Sequence, residues 1–330
     1  MNPFIFVSLQ GDDLIARFDI SKGLPGNRAD FKATGGPAPM VINPKKTRLF
    51  IGMRKSNELV CMHIGEDAGL SFATRTSLPN DPCFVGIDHQ GQYIFSAYYK
   101  AGQIAVHRWD EKTDAMTETQ RLTTEPKVHS VWPDAGDHYV YVPHPGPDKI
   151  YLYEFERRAG TLNALTPPWY APEQFLEPRH LCFHPALPCF YTVNEGSSTV
   201  SVYDPAKDGT IKCRQIVSTL PVEGFEGNAT AEIRVSPNGR FLYASNRGHN
   251  SIACYTVDRV TGAVSLTACT PVPAMPRSFD ISPDGRFLYS AGLNSGELAA
   301  FEIDQDSGSL KELSRTFIGN SPMWVMSVAR

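Results

Sequence analysis

The sequence predicts an all-β chain folded as one seven-bladed β-propeller. Three observations lead there: a near-verbatim internal repeat, a steady spacing of its weaker copies, and a last repeat divided between the two ends of the chain. SPNGRFLYASN at residues 236–246 and SPDGRFLYSAG at 282–292 begin 46 residues apart. Each alternates apolar with polar residues around a Pro-Asn-Gly or Pro-Asp-Gly turn, the pattern of a β-hairpin. Pro276 opens the second copy, and its counterparts fall at Pro37, Pro82, Val128, Pro178, Thr230 and Pro322, with spacings between 45 and 52 residues.

Taken in order, the repeats start at PAPMVINP, PCFVGIDHQG, VHSVWPDAG, PRHLCFHP, TAEIRVSP, PRSFDISP and PMWVMSV. Each has room for about four short strands and shows almost no helical period, so each is one blade that buries both faces only by stacking on its neighbours. The third repeat has DAGDH where the fifth and sixth turn on Pro-Asn-Gly and Pro-Asp-Gly. The seventh supplies only an inner strand before the sequence stops at Arg330, while FIFVSLQGDDLIARFD at 4–19 matches the later strands of a blade such as YTVNEGSSTVSVYD at 191–204. The N-terminal strands are therefore expected to complete the last blade, with residues 1–330 forming a single domain. A row of β-sandwiches would leave this divided repeat without a purpose.

Composition narrows function. A formal charge of -4 and a pI near 6.1 lack the basic excess of a nucleic-acid binder, and no Lys/Arg run alternates with aromatic residues. The opening stretch MNPFIFVSLQGDDLIARF has a short apolar run without a basic flank, broken by Asp12 and Asp13, and reads as strand and turn. No apolar run is long enough for a membrane helix, so the expectation is a cytoplasmic protein with neither membrane nor nucleic acid as partner. Seven cysteines without a C-x-x-C argue for free thiols over a disulfide framework or a zinc knuckle. P-loop, H-E-x-x-H, G-x-S-x-G and G-x-G-x-x-G motifs are absent, and 304–308 reads as a hairpin loop, so no metal or cofactor is expected.

In a propeller the start of a blade's inner strand and the end of its second strand reach the same face of the ring. The first place is taken, blade by blade, by Ala38, Cys83, His129, Arg179, Ala231, Arg277 and Met323; the second by Arg54, Tyr99, Pro145, Glu195, Arg247, Leu293 and Gln10. With 31 Lys and Arg among 330 residues, roughly one or two would fall in fourteen places at random, yet four arginines do. Gathered around Glu195 alone, they repel one another and favour an anionic guest. His129 and Glu195 add two groups able to move a proton. His180, His184 and Asn194 lie beside these places, but strand alternation turns them away, and they read as mainly structural, with support of the mouth residues from behind as the alternative.

The segments HSVW, EPRHLCFHP, YTVNEG, YASNRG, MPRSFDISPDGRFLYSAG and SPMWVMSV resemble, across the whole chain, the seven-bladed β-propeller lactonases typified by bacterial 6-phosphogluconolactonase, whose relatives include the fungal carboxy-cis,cis-muconate cyclase. The resemblance implies a catalytic set of His129, Arg179, Glu195 and Arg247, with Arg277 of MPRSF characteristic of the lactonase branch. Arg54 and Tyr99 complete the expected substrate-binding wall. It also implies metal-independent hydrolysis of an anionic sugar lactone, 6-phosphogluconolactone in the pentose phosphate pathway above all, with His129 or Glu195 activating water. The pocket residues leave open an aldaric or uronic acid lactone, carboxymuconate cycloisomerisation, and a propeller that only binds partners, as they do the oligomeric state.

Overall fold

The computed structural model describes residues 3–222 and 225–329. The first two residues of the opening stretch and the terminal Arg330, both read above, lie outside the described residues. Among these there are 28 strands in seven four-stranded antiparallel sheets, and no helix; none is therefore long and apolar enough to cross a membrane. From axis to rim, blade 1 runs from Pro37–Ile42 to Leu70–Ser77, blade 2 from Phe84–Ile87 to Met116–Thr123, and blade 3 from Trp132–Pro133 to Thr161–Tyr170. Blade 4 runs from Pro178–Phe183 to Ile211–Ser218, blade 5 from Ala229–Val235 to Val264–Pro271, and blade 6 from Pro276–Ile281 to Leu310–Phe317.

Blade 7 is composite, as the divided repeat foretold: Pro322–Val328 lies innermost, followed outward by Phe4–Leu9, Leu14–Ser21 and Leu24–Lys32. The seam is an antiparallel ladder from Phe4 opposite Val328 to Leu9 opposite Pro322, with one slip between Ser8 and Leu9. Its open end is clasped by Asp12, whose carboxylate accepts the Asn320 backbone N–H at 2.6 Å and the Asn320 side-chain amide at 2.7 Å. Asp12 thus breaks the N-terminal apolar run and also pins the two chain ends together.

The hairpin between the first two strands is built alike in most blades. In blade 5 the Ser236 hydroxyl accepts the Phe241 N–H at 3.0 Å, and Gly239, at φ 70°, donates its N–H to the Ser236 carbonyl at 2.8 Å. The divergent third repeat keeps this geometry with other residues. Asp134 accepts the N–H groups of His138 and Tyr139, and Asp137 takes the left-handed position at φ 53°. Aspartate tolerates that conformation because its short polar side chain bonds locally, so the loop stays in register without glycine at that position.

One position of the second strand carries a buried aromatic ring in every blade: Phe50, Phe95, Tyr141, Tyr191, Tyr243, Tyr289 and, in blade 7, Phe6. These rings fill the space between neighbouring sheets. Two of the tyrosines also tie one blade to the next: the Tyr191 hydroxyl donates to the Gly262 carbonyl of blade 5 at 3.0 Å, and that of Tyr243 to the Gly308 carbonyl of blade 6 at 2.9 Å. Tyr243→Phe keeps the ring and leaves a buried carbonyl without its donor. It should cost about 0.5–1.5 kcal/mol, measured as a lower denaturation midpoint at unchanged m-value.

Candidate active site

The inner strands do not run as regular ladders. In blades 1, 4, 5, 6 and 7 the pairing with the second strand slips at the first mouth-facing place. In blade 4, Pro178 pairs with Asn194 and His180 with Val193, which leaves Arg179 as the extra residue; Arg277 is the extra residue of blade 6 in the same way. A β-bulge bends the strand and re-aims the side chain it carries. Here it delivers these side chains to the channel mouth. Hydroxyls tie neighbouring blades together at this end, Ser130 to the Arg179 carbonyl at 2.8 Å and Thr230 to the Asn194 carbonyl on the second strand of blade 4 at 2.7 Å.

All seven sequence-derived site residues, Arg54, Tyr99, His129, Arg179, Glu195, Arg247 and Arg277, line one cavity of about 330 Å³ at this mouth. Lys100, Cys83 and Trp324 also border it. Pro145, Ala231, Leu293 and Gln10, expected at the same face, do not form its wall. Ala231 instead lies buried and offers its carbonyl to the Arg179 guanidinium. Larger depressions exist, one of about 720 Å³ beside Arg286 and Phe287 and one of about 660 Å³ beside Lys45 and Glu111, but neither is lined by a histidine or by more than one arginine.

Glu195 organises the charge. Its carboxylate lies 3.2 Å from Arg179 Nε on one side and 2.9 Å from Arg247 Nη2 on the other. Burial alone would raise this carboxyl, but Arg179 and Arg247 outweigh burial and hold it below its ordinary value. Glu195 is thus a carboxylate committed to two cations, and a poor base. Arg247 is fixed further by the carbonyls of Thr230 at 2.7 Å and Ala229 at 3.2 Å. Arg54 is paired with Asp81 at 2.9 Å. Arg277 differs from the other three: among the described residues it has no hydrogen bond and no ion pair. Burial, then Arg247, bring it down to about 10, so it still carries its charge at neutral pH.

His129 sits among these cations. It is 6% exposed, with the Tyr99 ring edge-on to it at 5.7 Å between centroids. Burial first, then Arg179, His180 and Arg277, press its imidazole well below its ordinary value, so it is neutral at physiological pH. Cys83, the nearest thiol, is pushed up to about 12 mainly by burial and is no nucleophile. Among the described residues no group of three or more His, Cys, Asp or Glu side chains is placed to hold a metal ion.

One expectation needs correction. His180 does not turn away from the site: its ring lies in the channel beneath His129, with Nε2 at 3.1 Å from His129 Nδ1. Alternation counted from Arg179 fails because Arg179 is the bulged residue, and no sequence signal short of the strand pairing announces the bulge. His184 and Asn194 are structural as expected, His184 facing the Gly239 carbonyl and Asn194 bonded to Thr199 and Ser201.

A buried imidazole and a surplus of guanidinium groups at the channel mouth make this a closed propeller with a cationic central pocket. More narrowly, the chain belongs to the lactonase family of seven-bladed β-propellers, whose family model matches residues 15–327. The 6-phosphogluconolactonase of Yersinia enterocolitica is 32% identical over 296 residues, 89% of either chain. That of Cronobacter sakazakii is 33% identical over 298 residues, 89% of this chain and 88% of its own. The periplasmic gluconolactonase of Pseudomonas aeruginosa matches in fold with a TM-score of 0.90 at 24% identity, covering 100% of this chain and 99% of its own.

The imidazole's surroundings give a direct check. In an NMR pH titration from about pH 8 to about pH 5, where an ordinary histidine charges, His129 should remain neutral well below the ordinary value of 6.5. A sugar acid bound among the arginines offsets their repulsion, so its addition should move the His129 titration upward.

Proposed function

We propose that the channel mouth hydrolyses the lactone of an anionic sugar acid, 6-phosphogluconolactone foremost. The observation that carries this reading is the presence, at one mouth, of a neutral imidazole and a guanidinium, Arg277, that among the described residues has no hydrogen bond and no ion pair. Arg277 receives the anionic handle, with Lys100 adding positive field, Arg54 lining the wall in its pair with Asp81, and Tyr99 closing it beside His129. Guanidinium binds phosphate and carboxylate alike, so an aldaric or uronic acid lactone fits the same chemistry. The named relatives favour the phosphorylated sugar.

His129 acts as general base. Water attacks the lactone carbonyl carbon, a C–O bond forms, and the water proton passes to His129 Nε2. The carbonyl oxygen becomes an oxyanion, stabilised by the guanidinium of Arg179 or Arg247. As the tetrahedral centre collapses, the ring C–O bond breaks and the departing oxygen takes the proton back from His129. Product is the open sugar acid, and the base is regenerated. Glu195 holds Arg179 and Arg247 in place without taking the proton itself. A cycloisomerase would need the substrate's own carboxylate as nucleophile and a double bond to receive it, and a bare docking platform would show an apolar mouth where this one is charged.

We place the reaction in the cytoplasm, because a phosphorylated sugar cannot cross a lipid bilayer unaided. Fractionation of cells with an antibody to the protein tests that placement.

The kinetic test is hydrolysis of a lactone panel with spontaneous opening subtracted. His129→Asn should lower kcat by about 10²–10⁴ with little change in KM. Arg277→Ala should chiefly raise KM, and Arg179→Ala or Arg247→Ala should change both. Glu195→Gln should also lower kcat, through disordered arginines. A wild-type rate equal to the background on every lactone, or full activity in a His129/Glu195 double variant, would remove the hydrolase reading.

A further inference from the structure

We infer that His180 and Glu232 are positioning residues: a buried hydrogen-bonded chain from Glu232 through His180 holds His129 in the tautomer whose Nε2 lone pair faces the cavity. The kinetic consequence rests on the lactonase reading; the tautomer does not.

The chain is continuous. His180 Nδ1 lies 3.2 Å from Glu232 Oε1, and His180 Nε2 lies 3.1 Å from His129 Nδ1. Both His180 and Glu232 are wholly buried. Glu232 Oε1 also accepts Arg234 Nη1 at 2.7 Å and the Ile233 N–H at 3.2 Å, and Arg234 reaches on to Asp280 at 3.4 Å. The His180 ring is packed among Phe84, Trp132 and Trp324, with centroids 5.7, 6.2 and 6.0 Å away. Those rings offer its nitrogens no other acceptor.

Proton placement follows from what each group can do. An ionised carboxylate only accepts, so His180 Nδ1 carries the hydrogen facing Glu232. A neutral imidazole has a single N–H, so His180 Nε2 must accept. His129 Nδ1 then donates, and the remaining lone pair of His129 is on Nε2. The charge states agree with this order. Burial opposes the Glu232 charge, but Arg234 and His180 outweigh it and bring the carboxyl to about 2. Burial, ahead of the opposing pull of Glu232, brings His180 to about 4. The reverse order needs a His180 imidazolium facing Arg179 and Arg234.

The chain also serves the charged intermediate. When His129 takes the water proton, its Nδ1–H bond to His180 becomes charge-assisted and strengthens, with Glu232 beyond it. This division of labour is that of the hydrolytic triads, in which a buried carboxylate orients an imidazole without accepting its proton. Two imidazoles in series let Glu232 act from the channel interior, away from the mouth where it would cancel the field that draws the substrate.

The experiment is ¹⁵N NMR of the full-length protein with labelled histidines at neutral pH, the His129 signals being those absent from His129→Asn among nine histidines. Wild type should show His129 Nδ1 protonated and Nε2 unprotonated. His180→Phe should erase that preference and lower kcat by about 10- to 100-fold at unchanged KM. His180→Gln keeps an acceptor near the Nε2 position and should recover most of the loss. Glu232→Gln, its carbonyl still oriented by Arg234, should be milder than Glu232→Leu. A wild-type His129 protonated on Nε2, or a folded His180→Phe variant with wild-type kcat and tautomer, would overturn the inference, and the wild-type spectrum decides it even if the variants do not fold. Failure of the hydrolase reading would appear separately, as lactone turnover at background with the tautomer intact.

Discussion

The constraint on which this molecule depends is closure of the ring. A twisted four-stranded sheet with apolar residues on both faces is not stable alone, and each blade finds cover only from the blades on either side. A linear array would leave two sheets half bare. The seam between Phe4–Leu9 and Pro322–Val328, clasped by Asp12 and Asn320, removes both bare faces at once. It also creates the channel, because seven inner strands converge on one axis. The buried aromatic ring in each second strand sets the spacing between sheets, and with it the width of the channel mouth. The site is a by-product of closure that local irregularities have specialised.

Those irregularities are the bulges. A regular inner strand would alternate its side chains between the two adjoining blades and present little to the axis. The extra residue breaks that alternation where the strand begins, so Arg179 and Arg277 enter the mouth without disturbing the sheet packing further out. Four guanidinium groups so close together are costly in the absence of a guest. Glu195 offsets two and Asp81 a third, which leaves Arg277, among the described residues, without an ion pair; in the proposed function it is the charge that an incoming anion neutralises. The same unbalanced field, together with burial, presses the His129 imidazole below its ordinary value. In the proposed mechanism an anionic handle relaxes that field, so binding and base strength are coupled.

Much of this was legible in the chain itself. Seven blades and the composite seventh follow from repeat spacing and from the match between residues 4–19 and a later blade. The mouth residues follow from that register, since equivalent places in equivalent blades must lie at one face. Three things were not legible. Strand alternation assigned His180 to the wrong side because a bulge is visible only in the pairing of two strands. Glu232 sits in TAEIRVSP, where a lone carboxylate in a strand has no marker of its channel-facing role. The choice of His129 over Glu195 as the proposed base rests on inter-blade contacts: both partners of Glu195 are arginines brought in from bulged or terminal strand positions, and only their proximity shows that its charge is already committed.

The central claim, that an anionic sugar acid is bound and worked on between Arg277 and His129, is tested most directly by a crystal structure with the hydrolysis product 6-phosphogluconate. The account requires the phosphate on the guanidinium of Arg277 and the new carboxylate beside His129 Nε2, with an oxygen facing Arg179 or Arg247. A product molecule bound elsewhere on the propeller, or a mouth left empty at saturating product while wild-type turnover persists, would contradict it.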